Sequence, residues 1–150
     1  MNEWIYKDYP DTKTLVGHLM SFLDKSVPTD FNRGRISDII LRIWKDRDEV
    51  YKKDNIRLYT KNSMVNSASI TFTKYSLFYN PAKISLNYLF LANLGQKYTD
   101  ALQSDGWVPK KFDNWHENLA TTLVKDGFII QIAPPVDGLI INLVITLGHE

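Results

Sequence analysis

The last quarter of the chain is almost free of charge. Across residues 127–148 the only ionised side chain is Asp137, inside the turn Pro134, Pro135, Val136, Asp137, Gly138. On either side lie residues 128–133 and 139–147, two runs rich in β-branched side chains. Such runs interrupted by Pro, Asp and Gly predict a β-hairpin. A ribbon this apolar is stable in water only when other parts of the protein cover it, because a bare apolar strand recruits other chains. In the second run Leu139, Ile141, Leu143, Ile145 and Leu147 share one face, which is expected to lie under helices. The opposite face, Ile140, Asn142, Val144 and Thr146, is only half polar and also calls for cover, so the strand is placed centrally in its sheet.

One hundred and fifty residues fit one domain, and a chain of that length buries roughly 70% of its unfolded surface without a staple. A single α+β domain over residues 1–150 is therefore expected. Four Trp, eight Tyr and seven Phe argue against disorder. Cysteine is absent, which excludes disulfides, thiolate metal sites and a cysteine nucleophile. Glu3 and the missing apolar run behind it do not make a signal peptide, and residues 139–147 are far short of about 20 residues for a membrane helix. A cytoplasmic protein with no membrane contact is the resulting expectation. Net charge is +1, with 13 basic and 10 acidic residues in the first half against 5 and 7 in the second. Neither half carries the dominant basic field of a nucleic-acid binder.

Helical spacing appears at Leu15, Val16, Leu19, Phe22 and Leu23, with Asp11 or Thr12 as cap and Pro28 beyond the end. It returns more strongly at Ile36, Ile39, Ile40, Ile43, Trp44, Val50 and Tyr51, predicting a second amphipathic helix. Residues 56–60 and 68–79 read as strands joined by a loop at 61–67. In the longer one the apolar set changes parity from Ala68, Ile70 and Phe72 to Tyr75, Leu77 and Tyr79, which places a bulge or strand end near Thr73 and Lys74. Asn80-Pro81 breaks that strand. Ser85 is the expected cap of a third helix carrying Leu86, Leu89, Phe90, Leu94, Tyr98 and Leu102, with Gly95 inside it. Asn114 and Glu117 resemble a capping box for a fourth helix with Trp115, Leu119, Leu123 and Val124, ended by Gly127. The expected architecture is an antiparallel sheet of about four strands, in two hairpins, packed with about four helices in the order ααββααββ. The two helix exits, Lys53-Asp54-Asn55-Ile56 and Lys125-Asp126-Gly127-Phe128, look alike and raise the question of a duplication.

No phosphate-binding glycine loop, dinucleotide fingerprint, nucleophile elbow or paired-histidine zinc motif is present, so no cofactor or metal is expected. The best polar constellation is Trp107, Lys110, Lys111, Asp113, Asn114, Trp115, His116 and Glu117, a loop opening a helix whose first amides favour an anion. His116 with Glu117 is the one acid–base pair on offer, although capping and packing explain the same residues. Arg33, Arg35, Arg42, Lys45 and Arg47 form a second basic group, diluted by Asp38, Asp46, Asp48 and Glu49. Trp4, Tyr6 and Tyr9 either pack back on the domain or face a partner.

Three readings of function follow. The first is a small non-catalytic protein-binding domain of inhibitor or immunity type, as a phage or mobile element carries, with Arg35, Arg42, Trp107, Lys110, Lys111 and His116 as its partner contacts. The second is a nucleic-acid-binding regulator with a winged-helix-like C-terminal half, recognition helix at 115–125 and wing at 134–138; it suffers from a helix with one cation and a wing with none. The third is a small enzyme using His116 and Glu117. By elimination the protein-binding domain is the reading carried forward.

Overall fold

A computed structural model describes residues 8–34, 47–113, 118–136 and 138–150. Two helices and eight strands succeed one another: α1 (Thr12–Met20), β1 (Asn32–Arg33), β2 (Glu49–Lys53), β3 (Ile56–Lys61), β4 (Met64–Tyr75), α2 (Pro81–Ser104), β5 (Val108–Pro109), β6 (Thr121–Lys125), β7 (Phe128–Ala133) and β8 (Ile140–His149). All strands join one antiparallel sheet in the order β1-β2-β3-β4-β8-β7-β6-β5. The expectation of about four strands and four helices is overturned: among the described residues the fold is a sheet-dominated α+β arrangement.

Among the described residues the fourth expected helix and the end of the second are replaced by strands. Thr121–Lys125 is strand β6, with Leu123 fully buried and Leu119 exposed. The run Thr121, Thr122, Val124 is β-branched, and branching at Cβ favours a strand over a helix whose stripe rests on few apolar positions. Asp126 and Gly127, with φ of 52° and 83°, close a two-residue hairpin instead of ending a helix. Both roles need the left-handed region, so the sequence signal is shared. Val50 and Tyr51, expected at the end of the second helix, lie on β2; the rest of that helix, residues 36–46, falls outside the described residues.

The longer first-half strand starts at Met64, because Asn62 and Ser63, both at positive φ, replace the expected loop by a tight turn. The irregularity in β4 is at Asn66, where Tyr59 pairs with Ser67 and Thr60 with Val65. Near Thr73 the ladder to β8 is unbroken, and the parity change marks the strand end at Tyr75. Asn80-Pro81 both stops that strand and starts α2. The Asn80 side chain accepts from Lys83 N at 3.2 Å, and Pro81 occupies the first helical position, where its missing N–H costs nothing. Ser85 is thus inside the helix, not its cap. In α1 the Asp11 carboxylate accepts from Thr14 N at 2.7 Å, as expected of a cap.

β8 is central, between β4 and β7, and Ile141, Leu143, Ile145 and Leu147 are each 0% exposed. Leu139 stands outside the strand and is half-exposed. Across the ladder these residues face Phe72, Ile70 and Ala68 on β4 and Ile130 and Ile132 on β7. Both helices lie on this face, α1 with Leu15 and Leu19, α2 with Leu91, Leu94, Tyr98 and Leu102. The order of strands is symmetric about the β4·β8 seam. Among the described residues each half has one helix followed by four antiparallel strands, and the two look-alike tetrapeptides are the matching turns β2-β3 and β6-β7.

Candidate functional site

The β4·β8 seam ends in an apolar surface. β4 stops at Tyr75, opposite Ile140, and Ser76 N donates to Leu139 O at 2.9 Å. The chain then crosses to α2 through Leu77, Phe78 and Tyr79, which are 79%, 80% and 80% exposed. Leu139, which accepts from Ser76 N, is half-exposed beside them, and Val136 on the β7-β8 connection and Ile140 at the start of β8, on the sheet face away from the helices, are exposed as well. Leu86 and Leu89, three residues apart on one face of α2, continue the surface along the helix. Of the eleven large hydrophobic side chains exposed among the described residues, Leu77, Phe78 and Tyr79 are the three most exposed. A shallow cleft of about 340 Å³ lies within it, lined by Tyr75, Ser76, Leu77, Phe78, Asn80 and Lys83. Lys74 extends over the Phe90 ring, 4.6 Å from its centroid. Single exposed apolar residues are ordinary, but three in succession are not.

A second cleft, of about 310 Å³, lies between α1 and the β2-β3 turn. Its wall is aromatic. Tyr9 and His18 stack at 5.6 Å, His18 meets Phe22 at 5.2 Å, and Phe22 meets Phe31 edge-on. The Tyr9 hydroxyl and His18 Nδ1 are 2.7 Å apart. Burial lowers the His18 pKa and, with the Asp8 charge, raises that of Tyr9, so the phenol keeps its proton and donates it to a neutral ring. Tyr98, also pushed up by burial to about 12, donates to Tyr9 O at 2.7 Å. An ion pair of Lys53 with Asp30 closes the rim. These rings mostly contact one another, as packing requires.

On the sheet face away from α1 and α2, a row of polar side chains crosses the strands: Ser69, Thr146, Gln131 and Thr122, all 3% exposed or less. Gln131 donates to Thr122 Oγ1 at 3.2 Å. The Ser67 and Thr146 hydroxyls are buried without a hydrogen-bond partner, a cost of about 1–3 kcal/mol for each such group. Tyr59 borders the row, its hydroxyl raised by burial and eased back by the Ser69 hydroxyl and Arg57.

Among the residues singled out by sequence, Trp107 is 6% exposed and belongs to the core, so its ring offers a partner little surface. Lys110 pairs with Glu150 at 2.8 Å and lies 5.7 Å from the Phe112 ring centroid. Lys111 is exposed next to it. Asn118 accepts from Phe112 N and donates to Phe112 O, closing the ends of that loop. Arg35, Arg42, His116 and Glu117 lie outside the described residues. The recognition helix of the winged-helix reading is not seen, since Thr121–Lys125 is a strand. Sequence reasoning passed over Leu77, Phe78 and Tyr79 by assigning Leu77 and Tyr79 to a strand face. Leu86 and Leu89, expected on the third helix, lie on α2 and are exposed. The available signal was the Asn80-Pro81 break directly behind a run of apolar side chains.

No protein-family model, no curated protein and no solved structure matches this chain. Among the described residues no helix is long and apolar enough to cross a membrane.

Proposed function

We propose that the chain is a small protein-binding domain of inhibitor or immunity type, and that it docks through the apolar end built from residues 75–80, the start of α2 and the β7-β8 connection. The observation that carries the reading is the succession Leu77, Phe78, Tyr79 at about four-fifths exposure. Side chains of this kind are held in water at a cost that a partner removes. Covering the three is worth on the order of 5 kcal/mol before the entropy of association is subtracted. Aromatic anchors beside aliphatic neighbours are the composition of interface hot spots. Among the described residues this end lacks a grouped acid, base and nucleophile, which favours binding over turnover.

Two variants separate this end from the Trp107–Lys111 region. Phe78→Asp should leave stability within about 0.5 kcal/mol of the parent, because the side chain is already in water. It should also abolish stoichiometric co-purification of a protein partner from the native host. Lys110→Ala combined with Lys111→Ala should leave the partner bound. Retention of the partner by Phe78→Asp, or recovery of no protein at stoichiometric level by the parent chain, would rule the reading out.

A further inference from the structure

We propose that the cleft between α1 and the β2-β3 turn is a second binding site, taking a flat, uncharged heteroaromatic molecule that presents a hydrogen-bond acceptor to His18 Nε2. The site shares no lining residue with the cleft of the apolar end and does not rest on protein binding. Its walls come from three parts of the chain. His18 and Phe22 come from α1 and the turn behind it, Pro28 and Phe31 from the approach to β1, and Asn55 and Ile56 from the β2-β3 hairpin. At about 310 Å³ the space lies at the lower end of small-molecule sites and suits one or two fused rings. Phe31, partly buried and edge-on to Phe22, adds ring surface for a flat molecule.

Tyr9 sets the hydrogen bond on offer. Its hydroxyl lies 2.7 Å from His18 Nδ1, and as the donor it leaves that nitrogen without a proton. A neutral imidazole then carries its N–H at Nε2, and burial holds the ring neutral by lowering its pKa. No hydrogen bond reaches Nε2 among the described residues. The flanks of the ring are taken, by Tyr9 stacked at 5.6 Å and by Phe22 at 5.2 Å, so its nitrogen edge is what a ligand meets. The charges nearby favour a neutral molecule. Lys53 and Asp30 at the rim pair with each other, and an ionic ligand would have to part them. An anion inside would call for the proton that burial withholds from His18, and a cation would face the positive end of the N–H.

The test titrates the isotope-labelled full chain by NMR with three probes. Caffeine is bicyclic, uncharged and rich in acceptors, with no N–H. Indole has a similar shape, a donor and no acceptor, and tetramethylammonium offers a cation to the aromatic wall. Caffeine should shift His18, Phe22, Phe31 and Ile56 and bind about fivefold tighter than indole, as one neutral hydrogen bond allows. His18→Phe keeps an aromatic wall and should abolish that preference. Phe31→Ala, at a partly exposed ring, should weaken both bicyclic probes several-fold while the thermal midpoint is retained. Indole binding as tightly as caffeine to the parent chain, or an unchanged caffeine preference in His18→Phe, overturns the inference. So does tighter binding of tetramethylammonium, a set of shifts confined to other parts of the molecule, or binding of no probe. Caffeine binding gained only by a chain lacking residues 1–7 overturns it as well, the cleft then belonging to the chain's own amino terminus.

Discussion

At His18 a single side chain links burial to protonation. Its Nδ1 accepts from the Tyr9 hydroxyl, and burial lowers its pKa below the ordinary value near 6.5. Protonation would set an N–H against the Tyr9 O–H and charge a half-buried ring. The unfolded chain therefore takes up the proton at higher pH than the folded one. Stability from the neutral ring is fully present above about pH 6.5 and is lost as pH falls through the lowered value. His18→Gln should flatten the dependence of the urea midpoint on pH between 7 and 5. An unchanged slope in that variant would show that His18 contributes none of it. Neither this contact nor the exposure of Phe78 is written in the neighbouring residues. Tyr9 reaches His18 across nine positions, and the apolar character of Phe78 reads as burial until the strand is seen to end at Tyr75.

Among the elements, α2 shows a local weakness serving a tertiary contact. Gly95 lowers helix propensity by about 1 kcal/mol relative to Ala. A Cβ there would stand 3.1 Å from Leu143 Cδ1 and 3.7 Å from Ile132 Cγ2, so the glycine lets the helix lie close on β8 and β7. Gly95→Leu should lower stability by about 2 kcal/mol through overpacking, read as a reduced denaturation midpoint. Gly17 in α1 has nothing within 4 Å of its missing Cβ, so Gly17→Ala should raise stability by up to about 1 kcal/mol. Equal effects at the two positions would show that the close approach to Leu143 is not what the glycine serves. The existence of α1, α2, β3 and the β7-β8 hairpin is legible from spacing and turn residues. The type of element at 121–125 is not. Leu123 alone carries the inward face there, one apolar side chain fits either period, and pairing with β5 and β7 settles the matter.

For the molecule as a whole, the two halves meet in the sheet where β4 lies along β8, the helices add contacts between them such as the Tyr98 hydroxyl on Tyr9 O, and the core belongs to both. Ala68, Ile70 and Phe72 from one half share it with Ile141, Leu143, Ile145 and Leu147 from the other. Separately expressed fragments 1–78 and 79–150 should each lack a cooperative unfolding transition, because each would expose an apolar central strand as an edge. Mixed, they should recover the near-ultraviolet dichroism of the intact chain. A cooperative transition in either fragment alone would mean that the seam joins two independent units.

The chain's own pattern of residues dictated a buried, centrally placed final strand, the hairpin leading into it and the N-terminal cap of α1, because period-2 burial and capping are local and written within a few residues. Strand number, the symmetric order about β4 and β8 and the gathering of Leu77, Phe78 and Tyr79 with Leu139 and Ile140 came from the assembled fold. These depend on which distant segments pair, and an apolar side chain carries no mark of whether its neighbour in space will be protein or water.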